Sequence, residues 1–214
     1  MSAASETDHL RRQLDFLIEI DRLKGVLRQS RIADGARREN SAEHSWHLAM
    51  FAVILSDHAE GDVDVLRVLK MLLIHDIVEI DAGDHPYHEP GHDWDAIAAK
   101  ERAAADRLFG LLPPPQDAQL RALWDEFEAA ATPDARFAKA LDRLQPILLN
   151  LAVGGGTWDD HAVSLDMVLA RCRPTVEAAS PRLWAEVEAR VRAHFSGRRE
   201  DAAPAPVRAA DRPA

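Results

Sequence analysis

The sequence predicts an all-α protein with a single domain, and three observations support this fold class. Apolar residues recur at the three- and four-residue spacing of amphipathic helices through most of the 214 residues. Runs that alternate apolar and polar residues and are rich in Val, Ile and Thr are essentially absent. A hydrophobic fraction of 47% is enough to build one sizeable core.

The predicted helices follow one another with short breaks. The polar residues 28–42 indicate a surface loop, and residues 81–94, with two Gly, two Pro and three His, cannot form a continuous helix. Three prolines at 113–115 predict a stiff linker, and three glycines at 154–156 predict a turn rather than a phosphate-binding loop. Helices are predicted over residues 8–24, 42–59, 62–76, 95–109, 116–131, 133–151, 163–179 and 181–195.

The two ends of the chain are predicted to lie outside the helical domain. Residues 1–7 are expected to be a flexible N-terminus, and residues 8–196 form the helical domain. Residues 197–214 are rich in Ala and Pro and lack an apolar period, which predicts a disordered tail.

Composition excludes several classes of function. A net charge of −10, from 26 Lys and Arg against 36 Asp and Glu, disfavours a nucleic-acid polymer as partner but allows a small phosphorylated ligand. The single cysteine, Cys172, excludes an intrachain disulfide and a cysteine-based zinc site, and it favours a reduced, cytoplasmic setting. Apolar runs are too short to span a membrane, so no membrane association is expected.

The adjacent pair His75-Asp76 ends an otherwise apolar helix. A buried carboxylate is costly without a charged partner or several hydrogen bonds, and a divalent cation would supply that partner. Glu79 follows one helical turn later, so the three side chains share a side if the helix continues. Taken alone, such a pair could equally be held by hydrogen bonds to the backbone.

Two further residues strengthen the metal interpretation. His44 lies 31 residues before His75, and Asp142 lies 66 residues after Asp76 on a core-facing helix. Pro146 removes the backbone hydrogen bond to the Asp142 carbonyl and predicts a bend there. Two imidazoles and two carboxylates suit one divalent ion with open water positions, such as Mn, Co, Fe, Mg or Ni, and Zn is also compatible.

Three stretches, RRENSAEHSWHLAM, MLLIHDIVEIDAGD and FAKALDRLQPILLN, resemble the HD-domain metal-dependent phosphohydrolases. Within that superfamily they are most similar to the 5′-deoxynucleotidase branch. The resemblance implies an HD-type helical bundle, a nucleotide substrate and a homodimer. It also implies metal ligation by His44, His75, Asp76 and Asp142, proton transfer at Glu79, and a second acidic position at Asp84.

Phosphate binding is assigned to basic residues near the predicted metal site. Deoxynucleotidase relatives carry an Arg-Trp pair after the first helix, whereas this chain has Gln29-Ser30 there, flanked by Arg28 and Arg31. Lys139, one turn before Asp142, is a candidate for the substrate phosphate or for neutralising carboxylates. The predicted substrate-binding residues are Arg31, Arg37, Arg38 and Lys139.

The roles of the remaining histidines bear on which of the competing functions is correct. His47, one turn after His44, is interpreted either as a donor behind the metal ligand or as a core residue. His85, His88 and His92 are interpreted as lid or surface residues rather than ligands of a second permanent metal. The leading function is hydrolysis of a nucleoside monophosphate or similar small phosphate ester. The alternatives are a di-iron HD oxygenase and a non-catalytic, metal-containing nucleotide-binding domain.

Overall fold

A computed structural model describes residues 3–85 and 93–201 of the chain, and these residues are predominantly helical. The predicted all-α class is therefore confirmed. The α-helices are α1 (Ala3–Glu19), α2 (Ser41–Leu55), α3 (Val65–Ile74), α4 (Glu79–Ala82), α5 (Trp94–Phe109), α6 (Gln116–Ala129), α7 (Pro133–Ala152), α8 (Thr157–Asp160), α9 (Leu165–Ala179) and α10 (Pro181–Asp201). Short 3₁₀ turns occupy Ile20–Gly25, Ser56–His58 and His75–Val78.

The prediction of a surface loop at residues 28–42 is wrong in part. Strands β1 (Leu27–Arg31) and β2 (Arg38–Asn40) form an antiparallel pair in which Leu27 lies opposite Asn40. Between the strands Gly35 adopts a positive φ of 74°, which glycine adopts without a steric penalty. The buried residues of this hairpin are polar, Ser30 and Glu39, so hydrophobic alternation could not reveal it.

Several helix ends also differ from prediction. The first helix begins at Ala3, within the segment predicted to be flexible. The side chain that caps α3 is Asp64 rather than Asp62, since its carboxylate accepts hydrogen bonds from the backbone N–H groups of Leu66 and Arg67. Helix α10 continues to Asp201, past the predicted start of the tail, and residues 202–214 of that predicted tail lie outside the described residues.

Helix α7 occupies the centre of the fold. It packs against α2, α3, α6, α9 and α10 and also contacts β1. Its N-terminus is capped by Thr132, whose hydroxyl accepts a hydrogen bond from the backbone N–H of Ala135, and Pro133 occupies the first turn as predicted. A polar side chain on the inner face of α7 therefore lies among α2, α3 and β1, where the predicted metal ligands are located.

Within the described part of the chain, no helix is both long and apolar enough to cross a membrane.

Candidate metal centre and active site

A capping box fixes the start of α2 and thereby the position of His44. The Asn40 side chain accepts a hydrogen bond from the Glu43 backbone N–H at 2.9 Å, and the Glu43 carboxylate accepts one from the Asn40 N–H at 3.2 Å. Ser41 and His44, three residues apart, then lie on one face of the first turn, and both are buried. His44 is fully enclosed.

A change of helix type positions His75 and Asp76. Helix α3 ends at Ile74, and the 3₁₀ turn that follows brings both consecutive side chains into the interior. His75 Nδ1 donates to the Leu72 carbonyl at 2.9 Å, which leaves Nε2 as the atom with a lone pair. That Nε2 is buried and has no hydrogen-bond partner among the described residues.

Asp142, which lies on α7, contacts both His44 and His75. Its Oδ1 lies 3.1 Å from His44 Nε2 and 3.7 Å from His75 Nε2. One nitrogen of each imidazole and one Asp142 oxygen all lie within 4.8 Å of one another. The buried His75 Nε2 that lacks a partner and this mixed nitrogen and oxygen donor set both fit a divalent cation.

Asp76 lies at the edge of the cluster formed by His44, His75 and Asp142. Its Oδ1 is 3.0 Å from His75 Nε2, while its Oδ2 is 3.9 Å from His44 Nε2 and accepts a hydrogen bond from Arg28 Nη1 at 2.8 Å. The fold thus brings together all four side chains that the sequence singled out, with Asp76 shared between the histidines and Arg28.

His44 and Asp142 shift each other's pKa. Burial and the charge of Arg28 lower the pKa of His44, but the hydrogen bonds to Asp142 and Glu39 and the charge of Asp76 together raise it above its usual value. Burial would raise the pKa of Asp142, but its contacts with the two histidines hold that pKa well below its usual range. Asp142 is therefore a carboxylate, the form that binds metals.

Gln145 is a site residue that the sequence analysis missed. Its Oε1 lies 3.2 Å from His44 Nδ1, and its Nε2 donates to Glu39 Oε1 at 2.7 Å and lies 3.2 Å from His47 Nδ1. As an acceptor, Gln145 places the His44 proton on Nδ1 and turns Nε2 towards Asp142. Its spacing of three residues after Asp142 on one helix was the available signal. His47 contacts this amide.

Glu79 and Asp84 lie beside Arg28. The Ser41 hydroxyl donates to Glu79 Oε2 at 2.5 Å, and Arg28 Nη1 is 3.7 Å from Glu79 Oε1 and 3.8 Å from Asp84 Oδ1. Burial and the neighbouring charge of Asp76 raise the pKa of both carboxyl groups, in each case against the opposing charge of Arg28. Both groups are suited to holding a proton.

Arg28 is the arginine that enters the site. Its side chain is only 13% exposed, and although burial lowers its pKa, the charges of Asp76, Glu79 and Asp84 raise it more. In β1, Arg28, Gln29 and Ser30 all line the cavity, at a point where the pairing of β1 with β2 has a register shift. The loop predicted for this region did not reveal this arrangement.

The predicted substrate-binding residues are divided between the site and the surface. Arg31, Arg37 and Arg38 are exposed and do not line the cavity at the metal cluster. Arg37 instead makes two 2.7 Å hydrogen bonds to Glu43. Lys139 does line the cavity, where its Nζ donates to Glu128 at 2.9 Å.

The cavity has a volume of about 550 Å³, within the range of small-molecule sites. Helix α7 lines it through Lys139, Asp142 and residues up to Asn150, including Pro146, which lies inside the helix as predicted. His85 borders the cavity and its Nε2 lies 3.0 Å from the Ala82 carbonyl, whereas His88 and His92 lie outside the described residues.

Comparison with known proteins gives matching results. The HD domain family model matches residues 20–184. 5′-deoxynucleotidase HDDC2 of Bos taurus is 29% identical over 145 residues, covering 64% of this chain and 66% of that protein. A 5′-deoxynucleotidase of Yersinia pestis is 28% identical over 167 residues, covering 72% and 83%. A crystal structure of a predicted metal-dependent phosphohydrolase from Magnetospirillum magnetotacticum MS-1 is 51% identical, with a TM-score of 0.82, covering 88% of this chain and 96% of that one.

The chain therefore belongs to the HD domain family. Within that family it is a metal-dependent phosphohydrolase, since its relatives are named 5′-deoxynucleotidases and the structural relative is a predicted metal-dependent phosphohydrolase. The match spans about two thirds of the length of the bovine relative, 66%.

Proposed function

We propose that the protein is a 5′-nucleotidase that releases orthophosphate from a nucleoside monophosphate, including 2′-deoxynucleotides, or from a similar small phosphate ester. The observation that carries this proposal is a buried cluster of two imidazoles and a carboxylate, bordered by one arginine and three further carboxylates, at a cavity of about 550 Å³. Relatives at 28–29% identity are named 5′-deoxynucleotidases, which supports a nucleotide as the substrate.

Four residues would hold the cation. His44 and His75 would bind through Nε2, Asp142 through Oδ1 and Asp76 through the oxygen next to His75. A bound divalent ion supplies polarisation of a phosphoryl oxygen and lowers the pKa of water. Gln145 fixes the tautomer of His44, and the Leu72 carbonyl fixes that of His75, so both ligand lone pairs point inward.

Glu79 is assigned the role of general base, which accepts the proton of the attacking water. Ser41 holds Glu79 Oε2, so Oε1 is the oxygen that receives the proton. The raised pKa of Glu79, caused by burial and by Asp76, brings its basicity closer to that of the water it must deprotonate. Asp84, whose pKa burial also raises, is assigned proton donation to the leaving alcohol oxygen.

Arg28 is assigned to bind the phosphoryl group of the substrate. It lies 2.8 Å from Asp76 and within 3.8 Å of Glu79 and Asp84. A phosphate arriving at the cluster competes for this guanidinium and forms charge-assisted hydrogen bonds with it, which stabilise negative charge on the transferring oxygens. Lys139, which pairs with Glu128, is a further cation that lines the same cavity.

The test is a phosphate-release screen. Nucleoside mono-, di- and triphosphates are assayed with Mn, Co, Mg, Ni and Zn supplied in turn, using wild type, Glu79→Gln and the exposed control Glu177→Gln. We expect release from monophosphates, a loss of at least about 100-fold in Glu79→Gln, and wild-type rates in the control. Absence of release from every monophosphate with every metal would overturn the proposal. Full activity in Glu79→Gln would show that Glu79 is not the general base.

We also propose a homodimer in the cytoplasm. An exposed apolar stripe on α2, formed by Trp46, Met50, Val53 and Ile54, supports a second copy of the chain as partner. The single cysteine supports the reduced compartment.

A further inference from the structure

The cavity extends beyond the metal cluster into an arm between α7 and α9. Asp142 and Asn150 both line it, and their separation of eight positions along the helix corresponds to about 12 Å. From α9, Arg171 and Cys172 line the facing wall, and Arg143 lies next to Asp142 on α7. We call the space bordered by Arg143, Ile147, Asn150, Thr157, Val163, Met167, Val168, Arg171 and Cys172 the α7–α9 arm.

Arg143 of α7 and Arg171 of α9 both line the α7–α9 arm. Burial raises the pKa of the Cys172 thiol, and the positive charges of Arg143 and Arg171 each oppose that rise. Two positive charges therefore border one space. Like charges held close together are unfavourable unless an anion lies between them.

Arg171 has a donor that the protein leaves unsatisfied. Its Nη1 is buried and has no hydrogen-bond partner among the described residues. By contrast, Arg173 on the same helix lies 3.1 Å from Glu188 and 3.3 Å from Glu177 at the surface. A buried donor without an acceptor is costly, so an acceptor supplied by a ligand would stabilise this arrangement.

Apolar side chains form other walls of the arm. Ile147, Val163 and Val168 contribute hydrocarbon walls, which strengthen any charge interaction by excluding water. The glycine turn lies next to Asn150, where Thr157 donates to Asn150 Oδ1 through both its backbone N–H and its hydroxyl, at 2.9 and 3.0 Å. A Cβ on Gly156 would lie 2.6 Å from that same oxygen, which explains the glycine there.

We propose that the α7–α9 arm binds a second phosphate of the substrate, held by Arg171 together with Arg143, apart from the phosphoryl group that is hydrolysed. The inference rests on the proposed function, because it takes the scissile group to be a nucleotide phosphomonoester at the metal cluster. Once a cation occupies Asp142, that carboxylate no longer offsets the charge of Arg143, so the arm becomes more favourable to an anion. The preferred substrate class is then a nucleoside bisphosphate with a second phosphate on the sugar.

The experiment compares 2′-deoxyadenosine 3′,5′-bisphosphate with 2′-deoxyadenosine 5′-monophosphate. The full chain with Mn²⁺ is assayed as wild type, Arg171→Gln, Arg171→Lys and Arg173→Gln, the last being the matched control on α9. Initial rates give kcat and KM separately. Calorimetric binding of each nucleotide in a Glu79→Gln background provides a readout that does not depend on turnover.

We expect wild type to have a kcat/KM about tenfold higher for the bisphosphate. Arg171→Gln should remove this preference by raising KM and Kd for the bisphosphate about tenfold, with monophosphate kinetics within about twofold of wild type. Arg171→Lys, which keeps the charge but loses the planar fork, should recover part of it, and Arg173→Gln should match wild type.

Three results would overturn the inference. They are equal use of both nucleotides by wild type, an Arg171→Gln effect of the same size on both, which would place Arg171 at the scissile phosphoryl group, and an unchanged preference in Arg171→Gln. If no phosphate is released from either nucleotide, the proposed function fails. The calorimetric comparison still decides the inference, because tighter, Arg171-dependent binding of the bisphosphate supports it and equal binding overturns it.

Discussion

Arg28 shows how a single residue can change the assignment of a site. It was noted in the sequence only as a neighbour of Gln29-Ser30, whereas Arg31 was predicted to bind phosphate. The structure places Arg28 Nη1 2.8 Å from Asp76 and leaves Arg31 exposed. Arg28 therefore borders the metal cluster, and Arg31 does not line the cavity.

Arg28→Ala should therefore impair catalysis far more than Arg31→Ala. Removal of the guanidinium takes away charge stabilisation of the phosphoryl oxygens, so kcat/KM with a nucleoside monophosphate is expected to fall about 100-fold. Arg31→Ala should stay within about threefold of wild type. Steady-state kinetics on both variants check this, and a larger loss in Arg31→Ala would restore the original assignment.

Gln145 allows a test of ligand orientation. Gln145→Met keeps the side-chain volume but removes the acceptor that holds His44 Nδ1. We expect Mn²⁺ affinity, measured by calorimetry, to weaken about 10- to 100-fold, with little loss of helicity. Gln119→Ala, at an exposed position on α6, serves as the control. Unchanged Mn²⁺ affinity in Gln145→Met would show that the amide does not orient His44.

At the scale of elements, the helix pattern was predictable and the transitions were not. Periodicity placed α5, α6 and α7 within a few residues, because their apolar faces pack against the core. The 3₁₀ turn at residues 75–78 and the hairpin of β1 and β2 carry polar residues inward, so no hydrophobic period marks them. Both are elements that build the site.

Glu126 links three helices, and its lowered pKa predicts that stability depends on pH. It pairs with Arg67 of α3 and accepts a 2.7 Å hydrogen bond from Thr132, the cap of α7. The Arg67 hydrogen bond lowers the pKa of Glu126 against the opposing effect of burial. A lowered carboxyl pKa contributes stability above the ordinary value of 4.5, and this is lost as pH falls through the folded-state pKa.

Glu126→Gln should therefore lower the free energy of unfolding at pH 7 by about 1 kcal/mol, a modest value because Arg67 is half exposed. The difference from wild type should shrink below pH 4.5, where the wild-type carboxylate takes up a proton. Urea denaturation at pH 7 and at pH 3.5 measures both values. An equal difference at both pH values would argue against the ion pair as the cause.

At the scale of the whole molecule, family membership was predictable from three short motifs, and the same motifs carry the four proposed metal ligands, because metal chemistry restricts which residue types can serve. The hydrogen-bond partners Gln145, Ser41 and Glu39 were not predictable, since amides, hydroxyls and carboxylates occur throughout any surface. Their roles depend on three-dimensional contacts between β2, α2 and α7. The same holds for the α7–α9 arm.

The exposed stripe on α2 predicts the oligomeric state. Trp46 is 63% exposed and Ile54 65%, and residues eight apart lie on one helix face. The double variant Trp46→Glu with Ile54→Glu should convert a dimer into a monomer in sedimentation equilibrium, with an unchanged circular dichroism spectrum. A monomeric wild type, or a double variant that remains dimeric, would reject this face as the interface.

The number of Mn²⁺ ions bound per chain, measured by elemental analysis after dialysis and read together with phosphate release, tests the metal centre most directly. We predict one ion per wild-type chain, loss of release after chelation, and recovery on adding Mn²⁺. Asp142→Asn should stay folded but lose the ion and the activity together. An Asp142→Asn protein that keeps one ion and normal phosphate release would contradict the account.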